Sequence, residues 1–374
     1  MAINYKKLNE IKNVITRHLT HHKSFKSVEL VRDNPPRWFC KNKKLVYELA
    51  TPKKADSFHG KLEYTRWEEF PLPNSFKNEE EYDNTVVWYV NFADSDVFGY
   101  YGTNLFAQDE SQCLEHPALC SLRVCLAKNK DQQSHFTTSH PNLTKKSSSD
   151  FLSIATPILV RGVERKAKIM TNADARNERP YGLYGHQFSQ ASPNAIKLAT
   201  TIFDERIDQR TGRPYYSNII AIEAQKYGRG SYTIENIKKI LVAAYSGFLA
   251  AKFESLVEKG ILERFHEENQ GGHTKINLKN DESTQKPKVI IHTGNWGCGA
   301  YGGNVSIMSC LQIAAAHLAG IDKIIYHTVG RKEGFDIGLR VYKEFIDNVK
   351  DINVVNFIEN VEKEKLQWGF SNGT

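Results

Sequence analysis

The chain has 374 residues, enough for one large domain or two, and its 40% apolar and 25% charged content is that of an ordinary globular protein. Its 50 basic against 43 acidic residues leave a net charge of +7. That excess suits anionic ligands, but no basic stripe interleaved with aromatics appears, so nucleic acid is not expected as a partner. Cys40, Cys113, Cys120, Cys125, Cys298 and Cys310 form no CxxC pair and no zinc spacing, and read as reduced thiols of an intracellular protein.

The N-terminus, MAINYKKLNEIKNVITRHL, lacks the apolar core of a signal peptide and places Leu8, Ile11 and Ile15 on one face of an amphipathic helix. His18, His21 and His22 fit a surface helix better than a metal site. Residues 1–85 are polar, helix-leaning and punctuated by Pro35, Pro36, Pro71 and Pro73. They read as a helical accessory segment on a main domain spanning 86–374. Residues 86–93 (VVWYVNFA) are a buried strand by their β-branched and aromatic content, and 157–161 and 218–224 are two more. A polar insert follows near 128–150. Thr233 opens a long helix with the stripe Ile237, Leu241, Ala244 and Phe248. The apolar run 240–251 is about half of a bilayer span, so no membrane is expected. A second polar insert lies near 266–286, and Val341, Phe345 and Val349 mark a last helix. Asn-x-Ser/Thr matches at Asn142 and Asn304 read as chance. Strands alternating with helices predict an α/β fold with a mixed or largely parallel sheet.

Two blocks carry chemistry. In the first, Val289, Ile290 and Ile291 lead into five glycines between Gly294 and Gly303. A helix pattern (Ile307, Leu311, Ala314, Ala315, Leu318) follows, stopped by Gly320, and then a second β-rich run at 324–326. Glycines at a helix N-terminus free backbone N–H groups for a phosphate or diphosphate. Tight strand-to-helix packing without a ligand is the plainer account of such a turn. No Lys-Ser or Lys-Thr follows, so it is not a Walker A loop, and it is not read as the dinucleotide fingerprint, whose GxGxxG stands behind the first strand of a larger unit. The second block, residues 90–119, brings Gln108, Asp109 and Glu110 to the start of a helical pattern. Carboxylates in a first helical turn can simply favour the dipole. Alternatively, one of them is a general acid/base whose proton affinity a neighbouring like charge raises. Cys298 with His292 as a thiol–base pair is a weak third pattern, because nucleophile and base usually come from distant parts of the chain.

Together the two blocks resemble the macrodomain of poly(ADP-ribose) glycohydrolases. Asn91-Phe92-Ala93-Asp94 stands for that family's DFAN-like strand end, Gln108-Asp109-Glu110 for its QEE signature, and His116-Pro117-Ala118-Leu119 for its NPEL-like turn. The run 293–303 matches its TGNWGCGAFGG except at Tyr301, and IIAIEA (219–224) and AAYSGFL (243–249) also find counterparts. The resemblance implies a three-layer α/β/α macrodomain acting on ADP-ribose without metal or cofactor. Glu110 would protonate the leaving group at the distal ribose and then deprotonate water, while Asp109 would bind ribose hydroxyls. The ADP-ribose site would comprise Asn91, Phe92, Ala93, Asp94, Phe98, Gly99, Tyr100, Gln108, Asn295, Trp296, Gly297, Cys298, Gly299, Ala300, Tyr301, Gly302 and Gly303, with Tyr181 or Tyr184 stacking on adenine. Asn295 would fix the loop or a ribose hydroxyl.

Two departures stand out. Phe98-Gly99-Tyr100 replaces a GGG loop, where bulky rings are expected to reshape the pocket, and Asp109 replaces a glutamate. They make polymer processing doubtful and resemble a bacterial-effector branch that removes single ADP-ribose groups from arginine, notably on ubiquitin. The expected protein is a monomer in the cytoplasm, or in a host cytosol if an effector. The rival reading from another class is a reader that binds ADP-ribose without cleaving it.

Overall fold

A computed structural model describes residues 36–51, 63–66, 84–128, 135–139, 154–203, 207–208, 213–214, 216–260, 262–266, 274–278, 286–348 and 353–373. The amphipathic segment at Leu8–Ile15 and the histidines at 18–22 lie outside these residues, as do most of the two polar inserts.

Six strands form the central sheet: β1 (Glu63–Arg66), β2 (Asn84–Ala93), β3 (Ile158–Glu164), β4 (Tyr216–Glu223), β5 (Pro287–Gly294) and β6 (Lys323–His327), in the order β1-β3-β4-β2-β5-β6. The β4, β2, β5 and β6 strands run parallel, while β3 is antiparallel to both β1 and β4. The sheet is therefore mixed, as expected. Besides α1 (Lys41–Ala50), the helices that matter are α2 (Gln108–Glu115), α3 (Pro117–Lys128), α4 (Ile234–Glu258), α5 (Val305–Ala319), α6 (Lys332–Asn348) and α7 (Val354–Lys363).

Period-2 alternation decides which helices cover which face. Val86, Trp88 and Val90 of β2 pack with α4, α5, α6 and α7 in one core. Ala93, with Ile219 and Ala221 of β4, faces α2 and α3 in a second. This makes the three layers, and a third cluster joins Cys40 and Val46 beside α1 to Phe106, Leu183 and Phe188. The segment expected to be accessory thus contributes an edge strand to the sheet and a helix to a core. A hairpin, Leu262–His266 paired with Thr274–Leu278, runs from just before the second insert into it.

Local chemistry sets the boundaries. Thr233 Oγ1 accepts the Asn236 N–H at 3.3 Å while Asn236 Oδ1 accepts the Thr233 N–H at 3.1 Å, a reciprocal cap that opens α4. Gly247 lets α4 press on the sheet: a Cβ there would lie 2.8 Å from Ile222 Cγ2. The 25-residue α4 is long and apolar enough to cross a bilayer, but 89% of its apolar window is buried inside the protein, so it is the core helix. Left-handed Gly320 (φ 63°) terminates α5.

Candidate active site

Ligand sites of α/β sheets form outside the carboxyl ends of parallel strands. All four parallel strands deliver residues there. Lys226 follows β4, the 94–106 turn follows β2, the glycine loop follows β5, and Thr328 to Arg331 follow β6.

The acid turn is held by Gln108. Its Oε1 accepts the Phe92 N–H at 2.8 Å and its Nε2 donates to Val90 O at 3.0 Å, so the amide acts as one more strand residue beside β2. That clamp fixes the start of α2. Asn91, fully buried, donates from Nδ2 to Asp109 Oδ1 at 2.9 Å, and its own Oδ1 has no partner. Glu110 Oε2 accepts the Ala107 N–H at 2.8 Å. Helix capping and a buried acid pair are therefore both present. Burial raises the proton affinity of Asp109, and the adjacent Glu110 charge raises it further. Burial also raises Glu110, against the opposing pull of Lys43 and the Ala107 N–H.

The glycine loop is built as a cradle. Gly297 and Gly302 take φ 72° and 71°, and a Cβ on Gly297 would lie 2.5 Å from Ala224 Cβ. The Gly303 N–H donates to Gly297 O at 2.8 Å and the Cys298 N–H to Asn295 O at 3.0 Å. Among the described residues the Gly299, Ala300 and Tyr301 N–H groups have no hydrogen-bond partner, and α5 begins just behind them. Free amides at a helix N-terminus suit an anion.

The two loops, distant in sequence, meet. Tyr301 Oη donates to Asp94 Oδ2 at 2.8 Å. Lys226 Nζ donates to the same oxygen at 2.7 Å, bridges to Glu223 at 2.8 Å, and sits 4.8 Å from the Tyr301 ring centroid. Desolvation opposes ionisation of Asp94, but the Lys226 and Tyr301 bonds outweigh it and hold its carboxyl below the usual range.

Several expected ligand contacts fall elsewhere. The Trp296 side chain is fully buried and donates to Ile222 O at 3.1 Å, so it props the loop from behind. Cys298 is buried, and burial pushes its thiol up to about 12, which removes it as a nucleophile. Its proposed base, His292, pairs instead with His327 at 3.0 Å and packs on Tyr89. Of the two roles expected for Asn295, its side chain takes the loop-fixing one, donating to Thr328 O and accepting from Tyr326 Oη. Ala93 is buried in the second core, and the Phe92 ring lies 3.6 Å from a Cβ built on Gly294.

Phe98 corrects the expectation at the altered glycine loop. It adopts φ 54°, the left-handed conformation that favours glycine, and its fully buried ring turns into the second core. The ring does not obstruct the pocket. A Cβ on Gly99 would crowd Asp96, 2.9 Å from its Oδ2 and 3.0 Å from its backbone O, whereas Tyr100 stays half exposed. Tyr181 is 83% exposed; Tyr184 is 44% exposed and close enough to Glu110 and Arg331 to feel both charges.

Sequence reasoning missed Lys43, Lys226 and Arg331. Arg331 donates to Cys298 O at 2.8 Å, which places a guanidinium beside the glycine loop. Lys226 and Arg331 were accessible to the strand-end rule, since each follows a parallel strand by a few residues. Lys43 carried no signal.

Residues 179–335 match the family model described as poly(ADP-ribose) glycohydrolase (PARG), Macro domain fold. The matched stretch is less than half of the 374-residue chain, so it is a similarity to that family over the second half of the fold. The match takes in β4, the glycine loop and β6; it begins after the acid turn, so the assignment of Glu110 and Asp109 rests on the resemblance and on geometry. Among solved structures, the crystal structure of poly(ADP-ribose) glycohydrolase from Thermomonospora curvata is 12% identical over 89% of this chain and 96% of that chain, with a TM-score of 0.36, a remote likeness.

Proposed function

We propose that the protein releases ADP-ribose from ADP-ribosylated protein, with Glu110 as the acid/base. The observation that carries this reading is the meeting of the acid turn and the glycine loop through Tyr301 and Asp94. A diphosphate resting on the Gly299–Tyr301 amides would extend its distal ribose toward Asn91, Asp109 and Glu110. Glycosidic cleavage passes through an oxocarbenium-like state and needs a proton delivered to the leaving oxygen. Burial favours the protonated carboxyl at Glu110, as an acid requires. Asp109 and the free Asn91 Oδ1 offer hydrogen bonds to ribose hydroxyls. No step calls for a metal or cofactor.

The finer reading is mono-ADP-ribose in preference to polymer, arginine-linked as on ubiquitin. It is supported by the half-exposed Tyr100 ring where the resembled family has a glycine, and by the shorter acid at Asp109. Phe98 no longer supports it. A second reading, binding without hydrolysis, draws on one observation: Glu110 Oε2 is turned back onto the Ala107 N–H.

One assay decides among these. Polymer and glutamate-, serine- and arginine-linked ADP-ribose on protein carriers, ubiquitin included, are incubated with wild type and with Glu110→Gln. Release from the arginine-linked carrier by wild type alone, with ADP-ribose affinity within a few-fold in both, is the expected result. Equal turnover by the variant removes Glu110 from the mechanism, and no release from any carrier by wild type leaves the reader.

A further inference from the structure

Lys43 is completely buried. It lies in α1, far from both sequence motifs. An ammonium removed from water costs several kcal/mol unless its surroundings compensate, and a methionine would fill similar space at no such cost. Its Nζ donates to Leu105 O and lies 3.5 Å from Tyr100 O, two carbonyls of the turn that leads into Asp109 and Glu110.

The surrounding chain is laced to the same turn. The Phe39 and Cys40 N–H groups donate to Gly102 O at 2.9 and 3.0 Å, and the Arg37 N–H donates to Tyr101 Oη at 2.6 Å. Asn42 anchors α1 from the other side by donating to Phe188 O and Ala191 O. The position of the lysine is therefore fixed by packing and not by the charge alone.

We propose that Lys43 is a positioning residue of the active site: its ammonium pins the 100–105 turn from beneath and supplies the positive charge that keeps Glu110 able to give up and regain a proton. This inference rests on the assignment of Glu110 as acid/base. Among the described residues, the charged and titratable groups that act on Glu110 include Asp94, Asp109, Cys113, Tyr184 and Lys43, and Lys43 is the cation of this set. Burial and the neighbouring carboxylates all favour the protonated acid. Lys43 is the largest influence opposing that shift, with the Ala107 N–H beside it, and so favours the ionised carboxylate that accepts a proton from water.

The test compares Lys43→Met and Lys43→Arg with wild type in the full chain. Carboxyl titration of the free protein by carbon-13 NMR, with the Glu110 signal assigned by Glu110→Gln, gives a readout independent of turnover. Lys43→Met is expected to move the Glu110 titration up by a unit or more, at least a tenfold change in proton affinity. The matching limb of the pH–rate profile should move with it, Lys43→Arg should restore both, and ADP-ribose affinity should change little. A Glu110 titration within about 0.3 unit of wild type in folded Lys43→Met overturns the proposal. Should that variant not fold, Lys43→Gln, which can still donate to both carbonyls, set against Lys43→Arg gives the same decision. A wild-type protein that titrates as expected but releases no ADP-ribose refutes the hydrolase reading and leaves the charge relation standing.

Discussion

Tyr301 Oη donates to Asp94 Oδ2 at 2.8 Å across 207 positions of sequence, and this bond joins the two loops of the candidate site. Asp94 also accepts Ser95 Oγ and the Asp96 N–H on its other oxygen, so it braces the acid turn and grips the glycine loop at once. The Lys226 ammonium on the same carboxylate keeps the junction charged.

Tyr301→Phe keeps the ring and deletes the bond. The loss of one such hydrogen bond is worth about 1 kcal/mol, so ADP-ribose should bind roughly fivefold more weakly by titration calorimetry, and the Asp94 carboxyl should become easier to protonate. Unchanged affinity would mean that the two loops are held together without this contact.

Asp109 makes the fold pH-dependent in a defined direction. Its folded proton affinity lies above the unfolded value, by burial first and Glu110 second. As pH rises through the unfolded carboxyl range, the unfolded chain ionises while the folded one keeps its proton, so Asp109 erodes stability from about pH 4 upward. Asp109→Asn retains the acceptor for Asn91 and does not titrate. It should match wild type near pH 4 and exceed it by at least about 1.4 kcal/mol at pH 8, the equivalent of one pKa unit. Denaturant midpoints at the two pH values measure this, and a variant less stable at pH 8 would contradict it. Ribose binding and turnover should fall in the same variant.

What the sequence made legible was local. The 289–326 block was readable as strand, turn and helix because each piece is set by its own residues: β-branched content, glycine freedom, then 3.6-residue periodicity. The same holds for Thr233 as the cap of α4. Lys43 was not readable, because its importance lies in Tyr100 and Leu105, some 60 positions away, and a lysine in a polar segment looks solvated. Trp296 was misplaced for a related reason: adjacency to the glycines suggested a ligand contact, whereas its indole points backwards to Ile222. At Phe98 the steric rule was overridden. A left-handed phenylalanine costs roughly 1–2 kcal/mol, which burying its ring offsets, since burial of such a side chain contributes about 1.5–3 kcal/mol.

Phe98→Gly separates those two terms. Glycine relieves the left-handed strain but empties a fully buried site, and removal of a core phenylalanine costs about 3–5 kcal/mol. The net expectation is a loss of about 1–4 kcal/mol in chemical denaturation, with no gain in polymer cleavage, because the ring faces the core. A variant that becomes active on polymer would return Phe98 to the pocket wall.

Gly297→Ala tests the cradle itself. Two penalties coincide at this position: φ is 72°, and the added Cβ would meet Ala224 Cβ at 2.5 Å and Met308 Cε at 3.1 Å. The methionine end can swing aside, but Ala224 is fixed at the end of β4, so the loop must move instead. Its displacement would break the Gly303 N–H bond to Gly297 O and turn the Gly299–Tyr301 amides away from a common focus. Left-handed alanine alone costs roughly 1–2 kcal/mol. ADP-ribose affinity should therefore drop at least about tenfold, the equivalent of 1.4 kcal/mol, and turnover should fall with it. Gly260→Ala supplies the control: it has a similar φ of 72° with nothing near its Cβ, and lies at the end of α4 away from the loop. It should lose stability without losing ligand. Equal affinity in the two variants would show that the diphosphate is not held by the backbone at Gly297.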